Sequence, residues 1–212
     1  LPPEPSPKPV VRELSWFQRR SRSGCSPAIP DADPAKHGID YFQNSRRATY
    51  IQQEYAVQNP MHFAGYDKYC WGITASDGPG PAERQVDGIE RCFFDYAARK
   101  VPEGPDDGTI APWAAAASLP FAPEIVLPTL LNIGETYPMM SIYGFKSSFN
   151  PTFRDPAGKS GHWVSKRHYG LALGPVVVMV ENYRSGLIWR LLRGCPWVVA
   201  GLRRAGFENG WL

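Results

Sequence analysis

Following Gly174-Pro175 the chain reads VVVMVENYRSGLIWRLLRG, apolar on nearly every side at its start. The β-branched run could form a buried strand, but its length and the later spacing of Leu187, Ile188, Leu191 and Leu192 favour a helix. A helix with no polar face cannot lie on a surface, so this one is expected to be buried in a larger assembly. Upstream, residues 39–58 place Phe42, Ser45, Thr49, Gln52, Tyr55 and Ala56 three and four apart, which predicts a helix with one mixed face. Asn59-Pro60 should end that helix. A further helix is expected from Pro123, a favoured first-turn residue, toward Tyr137, with a kink or restart at Pro128. A last short helix should run from Pro196 to Ala205 and stop at Gly206. About five or six helices and no strong strand pattern point to an all-α fold.

Between these segments lie loops rich in proline, glycine and aromatics. The first ten residues, LPPEPSPKPV, form an extended linker, and residues 23–38 resemble it in composition. Residues 1–37 are thus assigned to a proline-rich leader and degenerate lead-in segment, and 38–212 to a helical domain. Residues 81–104 are read as a polar insertion, and 143–163 as an aromatic loop. At 212 residues, 43% of them hydrophobic, the chain can bury a substantial core.

Several function classes are excluded early. A net charge of +3 without a basic stripe argues against a nucleic-acid partner. Four cysteines without a CxxC pair, and four histidines without HxxxH or HExxH spacing, argue against a metal site, and no cofactor is expected. Sequence leaves any disulfide unassigned. No run reaches the roughly 18 apolar residues of a membrane span. The chain begins at Leu1 with no signal peptide ahead of it.

Seven tryptophans and a 13% aromatic content exceed what packing alone demands and suit a carbohydrate cleft. The stretch GYDKYCWGITASDGPG, residues 65–80, is the most suggestive. Within it, Ser76-Asp77-Gly78-Pro79 holds a carboxylate on a rigid turn, which fits either a functional acid or a turn cap. Tyr66, Tyr69 and Trp71 could be sugar platforms or core residues. Asp106 and Asp107 precede Gly108-Thr109, where one acid could serve a site while the other caps the turn. Glu181 and Arg184 stand three apart and are expected to meet, as a substrate-orienting pair or a structural ion pair.

Taken in order, DYFQNSRRAT, NP, GYDKYCWGITASDGPG, DDGTIAP, ASLPFAPE, YGFKSSFN and GPVVVMVENYRSGLIWRLL closely resemble the bacterial glycoamylase-like domain. That domain belongs to glycoside hydrolase family 144, the endo-β-1,2-glucanases, and similar domains occur in cyclic β-1,2-glucan synthases. The resemblance runs from Gly38 to Phe207. It implies part of an (α/α)6 toroid of about twelve helices, more than this chain can hold at ordinary helix lengths, so the chain matches the C-terminal half. It places Trp71, Thr74, Ser76 and Asp77 at the cleft, with Tyr66 beside them. It adds Asp107 and Thr109 from the DGTIAP loop, Phe145 and Asn150 from YGFxxxFN, and Glu181, Tyr183 and Arg184 from the ENYRSGL helix. Asp77 is the favoured carboxylate of the catalytic site, and its partner is Asp107, Glu181 or a residue outside the chain. The implied activity is hydrolysis of a β-glucan such as β-1,2-glucan. A noncatalytic glucan-binding half-domain and a transglycosylase module of a glucan synthase are the alternatives. A periplasmic or secreted location is implied, as is self-association through the apolar edge of an unclosed barrel.

Overall fold

The computed structural model describes residues 40–155 and 161–207, so the leader assigned to residues 1–37 lies outside the described part. Helix α1, Tyr41–Gln58, begins where Asp40 accepts hydrogen bonds from the amides of Phe42 and Gln43 at 2.8 and 3.0 Å. It ends where Asn59 turns left-handed, φ 43°, and clasps Phe63 through both side-chain amide atoms. Its buried residues, Thr49, Gln52 and Ala56, fall on the face that the sequence spacing marks. Gln52 is polar there for a reason: its Oε1 accepts the buried amide of Ile73 at 2.8 Å and ties the next loop to the helix.

Two more helices close the first layer. Helix α2, Pro112–Ala117, is short, and α3, Pro123–Thr136, runs unbroken through Pro128 rather than restarting there. Both begin with proline, whose missing amide costs nothing in a first turn. The main core lies between α1, α3 and the loops, around Phe63, Trp71, Ile73, Ile110, Ile133 and Phe149.

The all-α expectation needs correction, because six strands form three two-stranded antiparallel sheets among the described residues. Strands β1, Ala82–Val86, and β2, Ile89–Phe93, form a hairpin inside the segment read as a polar insertion. Its turn is Asp87-Gly88, both at positive φ, which is the backbone a two-residue hairpin turn demands. The strands escape sequence reading because only Val86, Arg91 and Phe93 point inward, leaving little apolar alternation. Strands β3, Met140–Ser141, and β4, Gly144–Phe145, make a small second hairpin. Strands β5, Phe149–Arg154, and β6, His162–Val164, make a third with an irregularity between Asn150 and Arg154. Pro151 sits within that irregularity, where a missing amide is tolerated. The domain is thus mostly helical with small sheets.

The apolar segment that constrained the fold becomes two helices. Helix α4, Gly170–Ser185, starts before Pro175 and stops at Gly186, whose left-handed φ of 65° breaks the helix. Helix α5, Leu187–Arg193, and helix α6, Pro196–Arg204, follow. Helix α4 packs on α2 through Ala111, Trp113 and Ala172. Among the described residues its outer side is left uncovered. Val177 is 68% exposed, Leu191 62% and Trp197 85%, which leaves an apolar flank facing outward.

Candidate functional site

Asp77 lies in the segment between α1 and β1, locked from both sides. The amide of Ser76 donates to Ala97 O and the amide of Ala97 donates back to Ser76 O, at 3.2 and 3.1 Å. Gly78 follows because nothing larger fits: a Cβ there would collide with the Arg99 guanidinium and with Phe94 O. Arg99 explains this crowding. It is fully buried, donates from Nη1 to Ser76 O at 2.6 Å, and from Nη2 to Phe94 O and Asp95 O at 3.2 Å each.

Its charge is balanced by Asp107, whose carboxylate accepts Nε and Nη2 of Arg99 at 2.8 Å each in a two-pronged pair. Asp107 also accepts the amides of Phe94 and Thr109 at 2.9 and 3.1 Å. Asn150 extends the network by donating to Asp107 O and Thr109 Oγ1 at 2.9 and 3.0 Å. Such a fully satisfied buried network fixes backbone position, since any shift would strand a desolvated polar group. The backbone it fixes is that of residues 76–78.

On this platform the Asp77 carboxylate is buried, and among the described residues no cation is bonded to it. Oδ1 accepts the hydroxyl of Ser148 at 2.7 Å and Oδ2 that of Ser165 at 2.5 Å. The two serines lie on paired segments flanking β5 and β6, with Ser165 N donating to Ser148 O at 2.9 Å. Ser165 Oγ in turn accepts the amide of Arg167 at 3.1 Å. Beside the carboxylate opens a polar cleft of about 370 Å³, lined among others by Asp77, Asp95, Asp155, Trp163, Lys166 and Arg167. The size and the mixture of one aromatic face with charged groups suit a small polar ligand.

The other residues singled out in the sequence lie in three places. Thr109, Asn150 and Asp107 are in the buried network under the loop, with Ser76 at its top. Tyr66 and Trp71 are buried in the main core, and Phe145 is partly buried against it. Tyr66 donates its hydroxyl to Asp106 at 2.8 Å, as does Tyr55 at 3.0 Å, while Thr74 is half-buried. Burial raises the Asp106 carboxyl above its usual range, against the pull of the Gly108 amide and the two tyrosines. Glu181, Tyr183 and Arg184 stand apart on α4. There the Ser185 hydroxyl, and then Arg184 at 2.9 Å, hold the Glu181 carboxyl below its ordinary value. Sequence reasoning missed Arg99, Ser148 and Ser165, because single serines and arginines carry no spacing signal. They become visible only when strand pairing brings residues 77, 148 and 165 together. Among the described residues no group of three or more His, Cys, Asp or Glu side chains is arranged to hold a metal ion.

The family model described as "Putative glucoamylase" matches residues 25–196. The chain belongs to the glycoamylase family. Its glycoamylase domain is 33% identical over 167 residues to an exo β-1,2-glucooligosaccharide sophorohydrolase (non-reducing end) of Parabacteroides distasonis, across 78% of this chain and 20% of that protein. An endo-β-1,2-glucanase from Chitinophaga pinensis, solved as a sophorotriose and glucose complex, superposes with a TM-score of 0.74 at 32% identity. That match covers 94% of this chain and 42% of the glucanase. A "putative glucoamylase" from Bacteroides uniformis gives a TM-score of 0.67 at 35% identity, over 85% of this chain and 39% of that one. The glycoamylase domain described here thus spans well under half the length of these relatives, which include β-1,2-glucan hydrolases.

Proposed function

We propose that this chain forms one wall of a β-1,2-glucan hydrolase site, in which Asp77 is an acid–base group. The observation that carries this reading is the setting of Asp77: a buried carboxylate gripped by two serine hydroxyls, with no cationic partner bonded to it among the described residues, beside a polar cleft. A carboxylate held in this way keeps its lone pairs aimed while remaining free to exchange a proton with a ligand. Glycoside hydrolysis needs two carboxyl groups, about 5–5.5 Å apart for retention or about 6.5–9.5 Å apart for inversion. In this chain we look for the second at Asp95 and Asp155, which line the same cleft. Asp107 and Glu181 rank below them, since neither lines that cleft. We assign Asp107, Thr109 and Asn150 to positioning, and Ser76 and Thr74 to the sugar-facing side of the loop. Tyr66, Trp71 and Phe145 act by packing behind that loop, and Tyr183 and Arg184 by facing sugar along α4.

On the same reading the chain is part of a helical toroid acting in the periplasm or outside the cell, and the apolar flank of α4–α6 is its open edge. Similarity to β-1,2-glucan hydrolases supports the hydrolase reading, with a transglycosylase module and a binding-only half-domain as the alternatives. The test is release of reducing sugar from β-1,2-glucan by the chain and its Asp77→Asn variant. Loss of roughly 10²–10⁴-fold in rate is expected for an acid–base group. Turnover unchanged in Asp77→Asn removes Asp77 from the mechanism. Calorimetric binding of the glucan without turnover in the unsubstituted chain would favour the binding-only reading.

A further inference from the structure

Two arginines are buried among the described residues, and only one of them meets a carboxylate. Arg99 is neutralised by Asp107. Arg91, 7% exposed, has no Asp or Glu oxygen within 4.0 Å among the described residues. It points inward from β2, where Nη2 donates to Met61 O at 2.9 Å and to His62 O at 3.1 Å. Its guanidinium carbon lies 4.7 Å over the Phe63 ring. Nε is buried without a hydrogen-bond acceptor, and Nη1 makes no hydrogen bond among the described residues. These contacts hold the side chain in place but leave its charge uncompensated, since carbonyls and a ring face carry no net charge. A buried cation without a counter-ion is costly.

Arg91 lines a cleft of about 390 Å³, walled among others by Met61, His62, Phe63, Phe94 and Asp106. This cleft shares no wall residue with the one beside Asp77. Two carboxyl residues border it, and neither balances Arg91. Glu90 precedes Arg91 in β2, so strand alternation turns its side chain to the opposite, exposed face. Asp106 is turned to the hydroxyls of Tyr55 and Tyr66 and to the amide of Gly108. The counter-charge that the fold withholds can therefore come from the cleft.

We propose that this cleft binds a small oxyanion, a phosphate or carboxylate group, through Nη1 of Arg91. Phe94 joins the cleft to the buried network, because its amide donates to Asp107 and its carbonyl accepts Arg99. An anion on Arg91 stabilises the folded chain by mass action, independently of the role of Asp77.

The experiment is calorimetric titration of the 212-residue chain with inorganic phosphate and, separately, with acetate, in chloride buffer at fixed ionic strength. Saturable binding of at least one is expected, and at about ten times its Kd that anion should raise Tm by about 3–6 °C. Arg91→Gln should weaken binding about tenfold or more, the worth of a hydrogen bond to a charged group. That change also removes the donors to Met61 and His62, so His62→Asp provides a second route. Aspartate tolerates the positive φ of residue 62, 53°, and sets a carboxylate in the cleft wall against the incoming anion. It should weaken binding to a similar degree, whereas the neutral His62→Asn should leave binding unchanged. Thermal melts without anion establish that each variant is folded, and if Arg91→Gln is not, His62→Asp decides. Phosphate without acetate assigns a tetrahedral oxyanion, acetate without phosphate a carboxylate, and both the chemistry they share. Binding of neither anion by the unsubstituted chain, or binding that persists in a folded Arg91→Gln or His62→Asp variant, overturns the proposal.

Discussion

Replacing Arg99 by methionine should cost the fold more than any other single arginine substitution among the described residues. Its side chain and that of Asp107 are both 0% exposed, and Asp107 would be left buried beside a thioether. Removing one partner from such a pair typically costs about 3–5 kcal/mol. The carbonyls of Ser76, Phe94 and Asp95 would lose donors as well, so the upper end of that range applies. Against a typical total stability of about 5–15 kcal/mol this is a large fraction. For a chain of this size, where 1 kcal/mol shifts Tm by about 2–4 °C, the midpoint should fall by roughly 10–20 °C. Arg99→Lys should recover only part of it, because one ammonium cannot span both carboxylate oxygens and three carbonyls. The assay is thermal and urea unfolding followed by circular dichroism. Arg154→Met serves as the control, since its 4.0 Å pair with Asp87 is 77% exposed on both sides and should change stability by less than about 0.5 kcal/mol. An Arg99→Met variant within about 1 kcal/mol of the unsubstituted chain would refute the view that this network holds the Asp77 loop.

Two further outcomes follow from the same structure. Because burial raises the Asp106 carboxyl in the fold, the stability it favours is present below the unfolded carboxylate range and is lost as pH rises through the folded value. Asp106→Asn removes that loss, so in urea melts its stability relative to the unsubstituted chain should increase from about pH 3.5 to neutrality; a difference independent of pH would contradict this. The exposed flank bearing Val177, Leu191 and Trp197 should drive copies of the chain together, giving a light-scattering mass above 23.6 kDa that rises with concentration. Leu191→Glu combined with Trp197→Glu should restore the monomer, and a monomer at all concentrations without those changes would defeat the open-edge reading.

Much of the helical layout was legible in the chain. Asp40 and Asn59 bound α1 by local capping, and Pro123 opens α3 through its own fixed φ, so neighbours in sequence suffice to mark those ends. The hairpins were less legible. The β1–β2 pair turns its face to Phe153 and Phe63 through one Phe93–Phe153 contact and two arginine stacks, Arg84 lying 3.9 Å over Phe153 and Arg91 4.7 Å over Phe63, and these are not apolar alternation. Gly186 was readable as a glycine but not as a helix break, since only its left-handed backbone separates α4 from α5. At the site, Asp77 stood out because a glycine and a proline follow it. Trp71 stood out equally, although its ring ended in the core at 1% exposure.

The amino-acid sequence by itself determined the family, the ends of α1, the start of α3 and the rigid turn around Asp77, because each depends on residues close together along the chain. Tertiary structure alone decided which partners each acid meets. Asp77 and Asp107 both lie in glycine-bearing turns, yet one met two hydroxyls and the other a buried guanidinium. That difference arises from side chains as much as 88 positions away, brought within hydrogen-bonding distance by strand pairing. The reactivity of a buried carboxylate is set by the partners that replace its water, and those partners exist only once the chain is folded.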